Sequence, residues 1–293
     1  MRYFFLLLFI CITGISCVPD QKIVEDNPFI IDENATPWII AHGGSKALWP
    51  ENTMMAFKGS MEIGVDALEM DVNITKDGTL ITHHDETIDR MSDGEGKVAD
   101  FTFEELGTFN FGDGFVNLEG ESPYKGLHVA VTALEEVITA YPVIPLIIEI
   151  KNTGELGEKA ADELIRLIDN YGIKEHTIIA SFSDEVLAYI ADETDGSYMV
   201  SAPEKQARRF VLSTKSGLGV LHWPKSMAAQ LPMESAGFNL AKKRIVKSAH
   251  RHNMAIHYWT INTKEDMELL IDLGADGLIT DRPDLMKEVI AGL

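Results

Sequence analysis

Cysteine is almost missing from this 293-residue chain, and both copies, Cys11 and Cys17, fall within the first 17 residues. The remainder therefore has no disulfide, no thiolate nucleophile and no thiolate metal site. Positive charge is also scarce: 25 Lys and Arg stand against 46 Asp and Glu, for a net charge of −21. Such a surface argues against nucleic acid as a partner and against electrostatic attraction to anionic lipid. An anionic substrate would need a local cation to be held here. No G-x-G-x-x-G follows the first strand candidate and no Walker loop occurs, which weakens a nucleotide-binding open sheet. Repeats and low-complexity tracts are missing too.

The one long apolar run is at the start, in "MRYFFLLLFICITGISC". It is shorter than the roughly 18 residues that a membrane span requires. One basic residue, an apolar stretch and then small residues make a secretory signal pattern over 1–17. Gly14-Ile15-Ser16-Cys17 resembles a bacterial lipoprotein box, in which Cys17 would be lipidated. Residues 18–36 are polar and contain proline, and read as a tether. The expected location is the bacterial cell envelope after export, with membrane contact only through that lipid anchor.

With 45% hydrophobic and 24% charged residues, the chain can fill a sizeable core. From Trp38 onward, short apolar runs alternate with segments of helical period. The strand candidates are 38–42, 67–72, 79–84, 145–150, 176–182, 197–201, 218–223, 255–260 and 276–280. The helix candidates begin at Asn52, read as an N-cap, and continue at 132–140, 156–170, 183–193, 203–213, 237–252, 263–273 and 284–291. Continuous apolar strands suit a sheet covered on both faces. About eight strand–helix units in some 250 residues favour an α/β fold of the (β/α)8 TIM-barrel type over 37–293. Residues 85–131, rich in glycine, read as a loop insertion over one end of the barrel.

The chemistry concentrates in "DALEMDVNITKDGTLITHHDE" (66–86) and in "LIIEIK". Alternate side chains of a strand share a face, so Glu69 and Asp71 point together while Leu68, Met70 and Val72 point the other way. His42, His84 and Glu149 also end strand candidates, at the end where barrels place their chemistry. Three carboxylates without a compensating arginine suit one hard divalent cation, Mg²⁺ or Ca²⁺. Two flanking histidines titrate near neutral pH and could act as acid and base, as phosphodiester cleavage requires. Any single buried acid at a strand end is more often a cap or an ion-pair partner; five ionisable groups at the same end of neighbouring strands point to function. His83 should point toward the helices and read as structural. His222, Trp223 and Trp259 end strand candidates and could line a pocket. Glu51, next to Asn52, could support the site from behind. Two carboxylates on one strand lie too close for an inverting glycosidase, which would also leave the histidines unexplained.

"AHGGSKALWPENTMMAF", "ALEMDVNITKDGTLITHHDETIDRMSDGEG", "LIIEIK", "YWTIN" and "GADGLITDRPD" together resemble the glycerophosphodiester phosphodiesterase family. The resemblance implies a metal-dependent TIM barrel, similar in architecture to phosphatidylinositol-cleaving phospholipases C, that hydrolyses glycerophosphodiesters to an alcohol and glycerol phosphate. By the same resemblance Glu69, Asp71 and Glu149 would bind metal, His42 and His84 would form the acid–base pair, and Lys151 would contact phosphate. One position departs: the family pattern His-Arg-Gly is here His42-Gly43-Gly44, so a bidentate phosphate contact is missing. Lys151 is the first candidate to replace it, ahead of Lys46. The alternatives are a lysophospholipase D-like activity, or a non-catalytic lipoprotein that binds phosphodiesters or sugars.

Overall fold

A computed structural model of the chain describes residues 26–33, 35–216 and 226–293. Eight parallel strands form the barrel: β1 (Trp38–Ala41), β2 (Ala67–Ile74), β4 (Leu146–Ile150), β5 (Thr177–Ala180), β6 (Met199–Val200), β7 (Ala228–Pro232), β10 (Ala255–Trp259) and β11 (Gly277–Thr280). Their order around the sheet is β6-β5-β4-β2-β1-β11-β10-β7. The two edges approach one another through a parallel bridge, Ser201 to Ala228, and a 2.7 Å bond from Ala202 N–H to the Ala228 carbonyl. The barrel is thus nearly closed, as the strand–helix alternation predicts.

The helices α1 (Met54–Ile63), α3 (Leu134–Ala140), α4 (Gly154–Tyr171), α5 (Asp184–Glu193), α6 (Glu204–Lys215), α7 (Lys243–His250), α8 (Lys264–Leu273) and α9 (Pro283–Ala291) cover the outside. The longest, α4, shows why: its buried residues Ala160, Ala161, Leu164, Leu167 and Ile168 recur at helical spacing and face the strands. It stops at Gly172, whose φ of 64° only glycine adopts freely. Between strands and helices lies the larger core, with Leu68, Met70 and Val72 of β2 in it. Inside the barrel a smaller core contains Ile40, Ala67, Ile147 and Ile279. Side chains of β2 therefore alternate as the sequence suggests, which leaves Glu69 and Asp71 on the interior face.

Several expectations are corrected. The run at 79–84 is not a barrel strand. It forms β3 (Leu80–Thr82), which returns antiparallel along β2, with Val72 opposite Thr82. The strand expected at 218–223 lies outside the described residues, as do His222, Trp223, Cys17 and the signal segment. The sixth barrel strand among the described residues is β7, Ala228–Pro232. The helix expected at 237–252 begins only at Lys243, because Phe238–Asn239 forms β9, a small hairpin with β8 (Glu234–Ser235). Asn52 is not the N-cap of α1: Thr53 is, its hydroxyl accepting from Ala56 N–H at 3.2 Å. Part of the segment read as a tether is packed. Phe29 is buried against Trp38 and His257 at the foot of the barrel, and Asn27 Nδ2 donates to the Met227 carbonyl at 2.6 Å. The insertion, which includes α2 (Phe103–Leu106), has its own small core of Ile81, Ile88, Val98, Leu106, Phe111 and Val131. Among the described residues no helix is long and apolar enough to cross a membrane.

Candidate active site

β2 and β4 are neighbours in register, with Asp71 opposite Glu149. Glu69, Asp71 and Glu149 each offer an oxygen, and those oxygens lie within 4.8 Å of one another. Glu69 and Asp71 are buried, and Glu149 is half-buried. The Gly43 N–H donates to Glu69 Oε2 at 2.7 Å. Burial, and then the neighbouring Asp71 charge, push the Glu69 carboxyl up to about 7. Asp71 moves the other way. Burial opposes its ionisation, but Lys46, Lys151, His84 and a hydrogen bond from Asn52 outweigh burial and hold it low. All three donors are hard carboxylate oxygens, and burial, with the Asp71 charge, favours the protonated form of Glu69. That donor set fits a divalent cation, whose charge would favour the ionised form of all three.

Two lysines reach into the cluster. Lys151 Nζ lies 2.8 Å from Glu149 Oε1 and 3.3 Å from Asp71 Oδ1. Lys46 Nζ lies 3.4 Å from Asp71 Oδ2 and 3.1 Å from His42 Nε2. Lys46, ranked behind Lys151 from the sequence, thus also reaches Asp71 and His42. A Cβ at Gly43 would stand 2.3 Å from Lys46 Cε, so the lysine stem fills the space beside that glycine.

Each candidate acid–base histidine is held through Nδ1 by a carboxylate. His42 follows β1 in a single 3₁₀ turn, and its Nδ1 is 2.6 Å from Asp281 Oδ1. Asp281 in turn accepts from Asn262 Nδ2 at 2.7 Å. With Nδ1–H donated to Asp281 and Nε2 facing the Lys46 ammonium, these partners assign the Nδ1–H tautomer. Burial disfavours the imidazolium of His42, but Glu69 and Asp281 more than offset burial and raise its pKa. His84 Nδ1 is 2.7 Å from Asp85 Oδ1. Arg90 Nε donates to the other Asp85 oxygen at 2.5 Å, and Arg90 Nη2 donates to Glu51 Oε1 at 2.5 Å.

The supporting residues take unexpected forms. Asn52 adopts a left-handed φ of 57°. Its amide embraces Asp71, donating to Oδ2 at 2.9 Å and accepting from the Asp71 N–H at 3.1 Å. Glu51 connects to His84 only through Arg90 and Asp85. His83 lies just past β3, edge-on to Phe111 and bonded to the Thr87 carbonyl, so it packs against the insertion rather than toward the barrel helices. Trp259 lines the site beside Phe182. Asp85, Arg90, Asn262 and Asp281 were not singled out from the sequence. Asp281 carried the same signal as the others, a carboxylate just past a strand in "GLITDRP".

These groups open into a cavity of about 570 Å³ at the C-terminal ends of the strands. The model of the Glycerophosphoryl diester phosphodiesterase family matches residues 42–285. A glycerophosphodiester phosphodiesterase of Caldanaerobacter subterraneus subsp. tengcongensis is 34% identical over 263 residues, covering 86% of this chain and 97% of that one. The crystal structure of a glycerophosphoryl diester phosphodiesterase domain from Mycobacterium tuberculosis superposes with a TM-score of 0.77 at 20% identity, covering 88% of this chain and 100% of that one. A phosphodiesterase of Oleispira antarctica, solved with the product sn-glycerol-3-phosphate, superposes with a TM-score of 0.68 at 20% identity, covering 87% and 97%. The nearly closed barrel, the carboxylate cluster at its mouth and the match over most of its length place this chain in the glycerophosphoryl diester phosphodiesterase family.

Proposed function

We propose that the protein hydrolyses glycerophosphodiesters to an alcohol and glycerol phosphate, with one divalent cation, Mg²⁺ or Ca²⁺, held by Glu69, Asp71 and Glu149. The observation that carries this reading is the pair of carboxylate-oriented histidines, His42–Asp281 and His84–Asp85, beside the three-carboxylate cluster. Such a cation supplies positive charge against the non-bridging oxygens of the phosphate. His42, whose Nε2 lies beside Lys46 at the cluster, takes a proton from the attacking water. As the new P–O bond forms and the bond to the leaving oxygen breaks, His84 gives that oxygen a proton. Asp281 and Asp85 fix the two rings and stabilise whichever imidazolium exists at the time. Lys46 and Lys151 add local positive charge beside the carboxylates of a strongly acidic molecule.

The test is product analysis on a panel of glycerophosphodiesters, with and without EDTA. Chelation should abolish release of glycerol phosphate, and Mg²⁺ or Ca²⁺ should restore it. Full turnover after dialysis into excess EDTA would sink the metal role, and intact substrates throughout would sink the activity. The proposed setting is the bacterial envelope, with Cys17 as lipid attachment site; incorporation of labelled palmitate, lost in Cys17→Ser, checks it.

A further inference from the structure

A second cavity, of about 690 Å³, adjoins the first, and the wall they share includes Lys151, Phe182, Glu204 and Arg208. Three lysine or arginine side chains line the two cavities, and two of them are taken. Lys151 is bound to Glu149 and Asp71, and Lys205 to Asp184 at 2.6 Å. Arg208, on α6, lines both cavities, and among the described residues no carboxylate pairs with it. Glu204 stands one helical turn earlier on the same wall, yet the two make no ion pair. Arg209, the next residue, lines neither cavity and is exposed to water. Every group assigned above to the scissile phosphate comes from other elements. In a chain of net charge −21, where acids are plentiful, a cation left unpaired in a cavity wall is a position open to an anion.

Resting on the phosphodiesterase reading above, we infer that Arg208 is a specificity-determining residue that binds a second anionic group of the substrate, apart from the scissile phosphate. A planar guanidinium offers two parallel donors to a carboxylate or a phosphate alike, so the chemistry recognised is an oxyanion. Glycerol carries only hydroxyls, so that oxyanion belongs to the leaving alcohol. The preferred substrates are then glycerophosphodiesters whose alcohol bears a further negative charge, with the phosphodiester at the carboxylate cluster and the second charge at the wall between the cavities. Phe182, 66% exposed on that wall and edge-on to Trp259, gives the linking carbons of the alcohol an apolar surface. The same two rings beside Glu204 would suit a cation instead; the unpaired guanidinium on the same wall opposes it.

Three leaving alcohols of one length separate charge from size. Linked to glycerol phosphate, 3-hydroxypropanoate, 3-hydroxypropanamide and 3-aminopropan-1-ol present a negative, a neutral and a positive end. An ion pair that water can reach is worth up to about fivefold, so kcat/KM for the anionic member should exceed that for its amide by about that factor, mainly through KM. Arg208→Gln should bring the ratio close to one, and Arg209→Gln should leave it where it is. A further pair, 1,3-propanediol monophosphate against 1,3-propanediol as leaving alcohol, separates the two sources of the oxyanion. The larger Arg208-dependent ratio identifies whether the wall takes a carboxylate or a phosphate. If neither pair favours its anionic member, if the amino alcohol is preferred, or if Arg208→Gln leaves the ratio unchanged, this inference is overturned and the activity stands. Should no phosphodiester be cleaved at all, the activity fails separately. Calorimetry with 3-phosphonopropanoate against propylphosphonate, both with Mg²⁺ present, then decides the site: tighter binding of the former, lost in Arg208→Gln, supports it, and equal binding overturns it.

Discussion

The departure at Gly43 shows how a single residue redistributes charge in the site. The backbone there has a φ of 51°, and the space a side chain would enter is taken by the Lys46 stem. A positive charge therefore reaches the pocket floor from three residues further along, at 3.1 Å from His42 Nε2. Lys46→Ala should lower kcat/KM by roughly one to two powers of ten, since a charge-assisted bond contributes about 1.5–3 kcal/mol. Steady-state kinetics would check it, and a rate like that of the parent would return the phosphate contact to Lys151 alone. Gly43→Arg should not restore Lys46→Ala fully, because an arginine there must adopt a left-handed backbone. The histidines make a second pair of comparisons. His42→Ala and His84→Ala should each lose about 10²–10⁴-fold in kcat, the usual contribution of general acid–base catalysis. His83→Ala should keep most of its turnover while losing stability, since His83 is buried and bonded to the Thr87 carbonyl.

At the scale of elements, the position of His84 depends on β3, and β3 is where sequence reading and structure part. An apolar run ending in two histidines resembles a barrel strand, but the Lys-Asp-Gly turn at 76–78 sends it back along β2 instead. His83 N–H then bonds the Asp71 carbonyl, which sets the next residue, His84, beside the cluster. The residue was legible and the route to it was not, because periodicity reports burial and not direction. Glu69, Asp71 and Glu149 were legible for the opposite reason: strand alternation is fixed geometry, and polar residues on an interior face stand out against it. Asp85 and Arg90 could not be found that way, since they lie in irregular backbone where spacing carries no orientation. The chain from His84 through Asp85 and Arg90 to Glu51 yields a prediction of its own. Arg90→Ala should free Asp85 and loosen the His84 ring, lowering kcat by about 10–100-fold, the scale of supporting shells around reactive groups. KM should move little. Unchanged kcat would make Arg90 a surface ion pair and nothing more.

Across the whole molecule, the two ends of the barrel are built differently. The C-terminal end gathers ionised groups; the N-terminal end is closed by apolar contacts among Phe29, Trp38 and His257, with buried Asp276 accepting from the N–H groups of Ile31 and Ile256. The polar look of residues 18–36 hid the plug, because a single phenylalanine in a short segment has no periodicity to betray it. His257 sits at full burial on the interior of β10, and that burial lowers its pKa from 6.5 to about 4, the nearby Asp276 charge opposing only in part. The folded state thus binds this proton later than the unfolded chain does. Between about pH 6.5 and 4 the unfolded chain holds more protons, so stability rises with pH across that window. The contribution of a neutral His257 is complete above pH 6.5 and is lost as pH falls toward 4, by up to about 3 kcal/mol if His257 alone is counted. His257→Leu removes the titration while keeping an apolar filler against Phe29. Urea unfolding at several pH values should show a slope of stability against pH in this window shallower by close to one proton than in the parent. Parallel slopes in the two proteins would mean that His257 is already protonated in the folded barrel, or that water reaches the floor and Phe29 does not seal it.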